Sequence, residues 1–249
     1  MTHCPRCKGE MPEGQCVPCC KMIGERVAER LAKVPGVVKL PTPHLQMYLM
    51  RDFLSGEECG RLVAAIDEGR QPSGILTDKP DPTFRTSDSC NLDRNDAFVK
   101  HVEGKITAVL GIQEALGETI QGQRYAPGQY FKPHNDYFHM NQPYWQVERK
   151  QGGQRTWTAM ISLNEPEEGG GTFFPTAGIR VKPRIGNLII WNNLGLDGRP
   201  NVATLHEGEP VIAGTKYIIT KWYRERRWGI VAPVAPSRPG VRAGARSAH

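Results

Sequence analysis

His134, Asn135 and Asp136 stand together in this 249-residue chain, and His206 and Lys216 follow far downstream. Two imidazoles and one carboxylate form a donor set that holds Fe(II) while leaving coordination positions free. A cation ten positions beyond the second histidine offers a charge to an acidic co-substrate. The combination points to oxygen activation rather than to a closed structural metal site. An isolated H-x-D is a weak signal, because histidine and aspartate commonly pair through ordinary hydrogen bonds. The added His206, Lys216 and strand-rich surroundings favour the metal reading. On an extended backbone His134 and Asp136 flank Asn135 and share one face, with His206 supplied by a distant strand or strand end.

Lys216 opens the alternating segment KYIITKW. As a strand, this places Lys216, Ile218, Thr220 and Trp222 on one face and Tyr217, Ile219 and Lys221 on the other. A cavity at the Lys216 end would let its ammonium meet a carboxylate; the plain alternative is a solvated strand lysine. Tyr125 precedes the first two ligand candidates and offers a phenol to the same co-substrate. Thr172, after a glycine-rich turn, offers a further hydroxyl or simply favours a strand.

The elements that must position these groups are legible as hydrophobic periodicity. Ile23, Val27 and Leu31 recur at helical spacing until Pro35-Gly36. Ser55 with Glu58 forms a capping-box signature ahead of Leu62, Val63 and Ile66, and Gly69 is a natural exit. Phe98, Val102, Ile106, Val109 and Leu110 predict a longer amphipathic helix ending near Gly117. Between the last two helices, SGILTDKPDPTFRTSDSC reads as a long loop, either covering a site or making a surface excursion. From Tyr125 onward TWTAMISL, TFF, IRV, NLIIW and KYIITKWY read as short strands separated by turns. The expected class is mainly β: a double-layered antiparallel barrel or jelly roll with supporting α-helices and a small amino-terminal cysteine-rich segment. Asn141 to Arg155 suits a lid or recognition loop, with Tyr144 and Trp145 either lining it or anchoring it by packing.

Seven cysteines are unevenly spread, five of them before position 21. C-x2-C repeated at Cys4, Cys7, Cys16 and Cys19 resembles a zinc knuckle pair, and four thiolates suit a tetrahedral structural Zn(II). Cys20 is a competing ligand, and a metal-free thiol-rich leader is the plain alternative. The formal charge of +6 is milder than a dedicated nucleic-acid binder carries, so contact with nucleic acid has weak support. The tail APVAPSRPGVRAGARSAH, with Arg238, Arg242 and Arg246, has little apolar surface and is expected to be disordered. No apolar run is long enough for a bilayer, and MTHCPRCKGE lacks a secretory hydrophobic segment. The expectation is a soluble, cytoplasmic protein.

The stretches FRTSDSCNL, QRYAPGQYFKPHNDYF, GGGTFFP, VKPRIGNLIIWNN and TLHEGEPVIAGTKYIITKW, in that order, closely resemble the prolyl 4-hydroxylase branch of the Fe(II)/2-oxoglutarate dioxygenases. The resemblance implies a double-stranded β-helix with buttressing helices. It implies His134, Asp136 and His206 as iron ligands and Lys216 on the distal carboxylate of 2-oxoglutarate. Tyr125, with Thr172 behind it, would bond the oxoacid. Arg85, Thr86, Ser87 and Trp222 would lie on the substrate side. The implied activity is hydroxylation at C4 of a proline in a peptide or protein, consuming O2 and 2-oxoglutarate and releasing succinate and carbon dioxide, with ascorbate as reductant. Free proline or another amino acid is the alternative substrate, and an inactive zinc-containing interaction protein is the contrasting class. The expected organisation is a zinc knuckle at 1–22, a helical linker and first strand approach at 23–46, the catalytic domain at 47–230 and the basic tail at 231–249. The amino-terminal cysteines depart from the minimal catalytic unit of the family.

Overall fold

The computed structural model describes residues 3–74 and 81–229; the basic tail lies outside the described residues, as do six positions of the loop expected between the second and third helices. The protein is mainly β, built on antiparallel sheets. The major sheet has the spatial order Val37–Lys39, Met47–Met50, Leu188–Asn192, Arg155–Ser162, Lys216–Arg224, Gln121–Tyr125, Asp88–Asn91, Gln71–Pro72. A smaller sheet runs Ile179–Val181, Thr172–Phe174, His206–Gly208, Phe131–His134, and Val211–Ala213 pairs separately with Glu168–Gly169. Among the described residues no helix is long and apolar enough to cross a membrane.

Both faces of the major sheet are buried, so its central strands read as near-continuous apolar runs. Leu188 and Ile190 point into one core, Ile189 and Trp191 into another. The first core joins Trp157, Ala159, Ile161, Ile219 and Tyr223 to the helices. The second packs Met160, Ile218 and Trp191 against Phe174 of the smaller sheet.

Helix α1 spans Val17–Leu31 and buries Ile23, Val27 and Leu31 as expected, but starts six residues before that periodicity and takes up Cys19 and Cys20. Pro18 in its first turn explains the early start: its fixed φ suits the helix entry. Helix α2, Gly56–Gly69, has the full capping box between Ser55 and Glu58. It leaves through an extended Arg70 rather than a left-handed glycine. Helix α3, Ala97–Leu110, ends at Gly111 with φ 66°, not near Gly117. Gly111 adopts the left-handed cap that glycine takes without steric cost, and a separate 3-10 turn occupies Glu114–Leu116. Arg30 of α1 donates to the end of α3, at Ala108 O (2.9 Å). The end of the expected long loop is strand, Asp88–Asn91.

Candidate metal and active site

Two cross-strand registers assemble the site. In the smaller sheet His206 pairs directly with His134, and in the major sheet Lys216 pairs with Tyr125. The ligand-capable atoms of His134, Asp136 and His206 all lie within 4.8 Å of one another. The means differs from the expected strand alternation. The strand stops at His134, and Asp136 is carried inward by the bend that follows.

Both imidazoles are oriented by their own backbones. His134 Nδ1 lies 2.8 Å from Lys132 O, and His206 Nδ1 lies 2.9 Å from Thr204 O. A carbonyl only accepts, so Nδ1 carries the proton and Nε2 is left as the lone-pair donor. Burial, reinforced by His206, pushes the His134 pKa down to about 3, which keeps the ring neutral and able to bind a metal. Phe131 stacks on His134 with centroids 3.6 Å apart, and Phe174 stacks on His206 at 5.0 Å.

Asp136 accepts from Thr158 Oγ1 at 2.8 Å, and Asn193 Nδ2 donates to that same hydroxyl at 2.8 Å. An ionised carboxylate only accepts, so Thr158 donates its proton to Asp136 while its oxygen accepts from Asn193. Burial alone would raise the Asp136 pKa; the two imidazoles, Arg155 and Thr158 outweigh it, and the group sits below the usual carboxylate range. Three convergent donors, two imidazole nitrogens and one carboxylate oxygen, suit a divalent iron that must keep free positions.

The inner cavity beside these donors is walled by alternate residues of the major sheet: Lys216, Ile218, Thr220 and Trp222 from one strand, Gln123 and Tyr125 from its neighbour. The expected division of faces holds, since Ile219 enters the helix-side core and Lys221 pairs with Glu103 of α3. Lys216 is 2% exposed, so the solvated-strand alternative does not apply. Its Nζ lies 3.5 Å from Thr172 Oγ1 and 5.2 Å from the centre of the Tyr125 ring. Tyr125 donates its hydroxyl to Gln123 Oε1 at 2.8 Å.

Outside the donors opens a groove of about 690 Å³ lined by Phe84, Phe131, Tyr137, Phe138, Tyr144 and Trp222, together with Arg85 and Arg155. Arg85 and Trp222 border both spaces. The neighbours of Arg85 are used differently. Thr86 is spent on the backbone of Tyr130, to which its hydroxyl donates (3.2 Å) and from which it accepts (2.9 Å). Ser87 accepts from Arg85 Nε at 3.1 Å and lines neither space. In the Asn141 to Arg155 segment, Tyr144 lines the groove while Trp145 is a packing anchor, 1% exposed.

Sequence reasoning missed Thr158, Asn193, Gln123 and Arg155. The signal for Thr158 was present in TWTAMISL, where alternation places Thr156, Thr158, Met160 and Ser162 opposite Trp157, Ala159 and Ile161. Polar residues on one face of a buried strand mark the side that meets chemistry. Arg155 donates to Glu118 (2.6 Å) and stacks over Trp222 at 4.1 Å, a pairing with no local signature.

A second donor cluster stands at the start of the chain: the thiols of Cys4, Cys7, Cys16 and Cys19 lie within 4.8 Å of one another. Cys20 does not compete, because its thiol donates to Glu225 Oε2 at 3.2 Å.

Residues 120–224 match the model of the 2OG-Fe(II) oxygenase superfamily. Prolyl 4-hydroxylase 1 of Arabidopsis thaliana is 32% identical over 201 residues, covering 73% of this chain and 69% of that protein. The viral collagen prolyl hydroxylase of Paramecium Bursaria Chlorella virus-1, solved as its 2OG complex, is similar with a TM-score of 0.56 and 28% identity, over 72% of this chain and 95% of that one. A prolyl hydroxylase from Trichoplax adhaerens, solved with a hypoxia inducible factor oxygen degradation domain peptide fragment, shares the fold at 13% identity. Its TM-score is 0.57, over 83% of this chain and 90% of that one.

Proposed function

The chain belongs to the prolyl 4-hydroxylase branch of the 2OG-Fe(II) oxygenase superfamily, and from that premise we propose that it hydroxylates proline at C4 within a peptide or protein. The observation that carries the reading is the convergence of two imidazoles and one carboxylate between a buried lysine and an aromatic groove. The double-stranded β-helix expected for the family agrees with two antiparallel sheets packed around one shared core.

Ferrous iron with 2-oxoglutarate and O2 supplies the oxidation: one oxygen atom goes to succinate as carbon dioxide leaves, the other to the substrate C–H bond. His134 and His206 would hold the metal through Nε2 and Asp136 through its carboxylate, with Thr158 and Asn193 fixing the carboxylate rotamer. Lys216 would pair with the distal carboxylate of 2-oxoglutarate, with Thr172 and Tyr125 beside it. Trp191, Met160 and Ile218 exclude water from that pocket. Arg85 and Trp222 stand where the pocket meets the groove, the position from which a substrate is steered toward the metal. No protein base or nucleophile is required.

A peptide rather than free proline is favoured by a groove of about 690 Å³ lined by aromatic faces, which suit proline rings and extended backbone. The same reading includes ascorbate as an external reductant and Zn(II) at Cys4, Cys7, Cys16 and Cys19 as a structural metal. In the same reading the knuckle, the catalytic domain and the basic tail are successive parts of the chain, with α1 (Val17–Leu31) running across position 22.

The test is mass spectrometry of proline-rich peptides and of free proline after incubation with Fe(II), 2-oxoglutarate and air. The expected product is a peptide carrying one added oxygen atom per modified proline, with succinate formed in equal amount. A product found only from free proline would replace the peptide assignment. Absence of oxygen-dependent succinate with every substrate would remove the catalytic reading.

A further inference from the structure

The amino-terminal cysteine cluster packs behind one wall of the groove, where Glu13 accepts from Trp145. Its sulfur pairs Cys4–Cys19 and Cys7–Cys16 are 3.7 and 3.4 Å apart. Both are far longer than a disulfide of about 2.05 Å and near the roughly 3.8 Å edge of a tetrahedron with 2.3 Å zinc–sulfur bonds. Among the described residues the cluster consists of four thiols, a set that favours Zn(II) in a closed structural site.

Two sets of contacts tie the knuckle to residues 138–149, and the first of them reaches the groove itself. Trp145 Nε1 donates to Glu13 O at 2.5 Å, and the buried Trp145 ring packs on Phe138, centroids 6.4 Å apart. Phe138 in turn packs on Tyr144 at 6.1 Å, and both rings line the groove. In the second set, Cys20 donates to Glu225 and Glu225 pairs with Arg226. Arg226 then donates both to Gly14 O at 3.4 Å and to Arg149 O at 2.6 Å. Gly14 has φ 87°, and a Cβ there would meet Arg149 Cδ at 2.9 Å, so the two segments are in close contact. A loop this short, with Glu13 and Gly14 both at positive φ, has too little apolar burial to hold its shape alone.

We propose that Cys4, Cys7, Cys16 and Cys19 bind one structural Zn(II), and that the resulting knuckle braces residues 137–149 as the far wall of the substrate groove. Zinc loading then controls how tightly the peptide is held without touching the iron or 2-oxoglutarate. The groove's role as a peptide site rests on the function proposed above; the zinc and the brace do not.

The full chain is assayed for zinc by elemental mass spectrometry, beside Cys4→Ser/Cys16→Ser and Trp145→Phe. One zinc per chain is expected, absent from the double cysteine variant and retained in Trp145→Phe. Loss of zinc should speed amide hydrogen exchange in residues 137–149 and raise the peptide KM about tenfold, the size expected for losing one well-formed hydrogen bond and its ordering. The Kd for 2-oxoglutarate should stay within about twofold, because among the described residues none of the knuckle lines that pocket. Trp145→Phe, which cuts the bond to Glu13 but keeps an aromatic ring, should reproduce part of both effects and carries the test if the cysteine variant does not fold. A zinc-free native chain would overturn the metal site. Unchanged exchange in Trp145→Phe would overturn the brace. Zinc-dependent protection without any hydroxylation would leave the brace standing and sink the catalytic reading instead.

Discussion

Replacing Lys216 by methionine isolates the charge that the site is built to hold. The side chain is 2% exposed, and the nearest hydroxyl, Thr172 Oγ1, is 3.5 Å away. Burial pushes its pKa down to about 8, against only weak support from the Glu209 carboxylate. At about 1.36 kcal/mol per pH unit, the fall from 10.5 to about 8 corresponds to roughly 3 kcal/mol of lost ammonium solvation. A carboxylate at Nζ would return an energy of that order, so Lys216→Met should weaken 2-oxoglutarate binding by about two decades. Methionine has similar volume and keeps the apolar stem packed, so Fe(II) affinity should stay unchanged. Isothermal titration without oxygen measures both, with Fe(II) added to the metal-free protein and 2-oxoglutarate added to the iron-loaded protein. The wild type should also lose affinity as pH rises through about 8, by about tenfold per pH unit, because a neutral amine must take up a proton to bind the diacid. The methionine variant should show a flat profile across that range. A change in Kd smaller than about threefold, or a pH slope that survives in Lys216→Met, would refute the assigned pairing.

Thr158→Val should leave Asp136 without its hydroxyl donor and lower Fe(II) affinity by about 10–100-fold, read by metal titration under anaerobic conditions; equal affinity would show that the carboxylate orients itself. Lys221→Met removes the nearest cation from the buried Glu103 carboxylate, leaving it Arg94 at 3.9 Å, and should cost about 3 kcal/mol in urea unfolding, with Lys221→Met/Glu103→Leu recovering most of the loss. Equal stability of the single and double variants would mean the pair contributes little. Gly186→Ala places a Cβ 2.2 Å from Leu54 O at a φ of 74°; a loss of about 2 kcal/mol or more is expected in the same assay, and a neutral result would require the strand entry to shift.

Much of the site was legible because its parts are local. The alternation of KYIITKW assigns Lys216, Ile218, Thr220 and Trp222 to one face whatever the rest of the chain does, since a strand has a period of two. The Ser55 capping box formed as read because both partners lie within one turn. Donor chemistry is equally independent of context: two histidines, an aspartate and a buried-strand lysine carry their preferences with them. The helix ends were less legible, as Gly111 stopped α3 six residues before the end expected near Gly117.

Tertiary structure alone decided which distant groups meet. His206 faces His134 because one antiparallel register brings together residues 72 positions apart, and a slip of one residue would turn either ring away. The bend after His134, rather than the expected strand alternation, places Asp136. Thr158, Asn193 and Arg155 act through partners on other strands, and the cysteine knuckle reaches the groove through Trp145. Residue type and short-range period set what each side chain is able to do; only long-range pairing, which no local signal encodes, sets what it does it to.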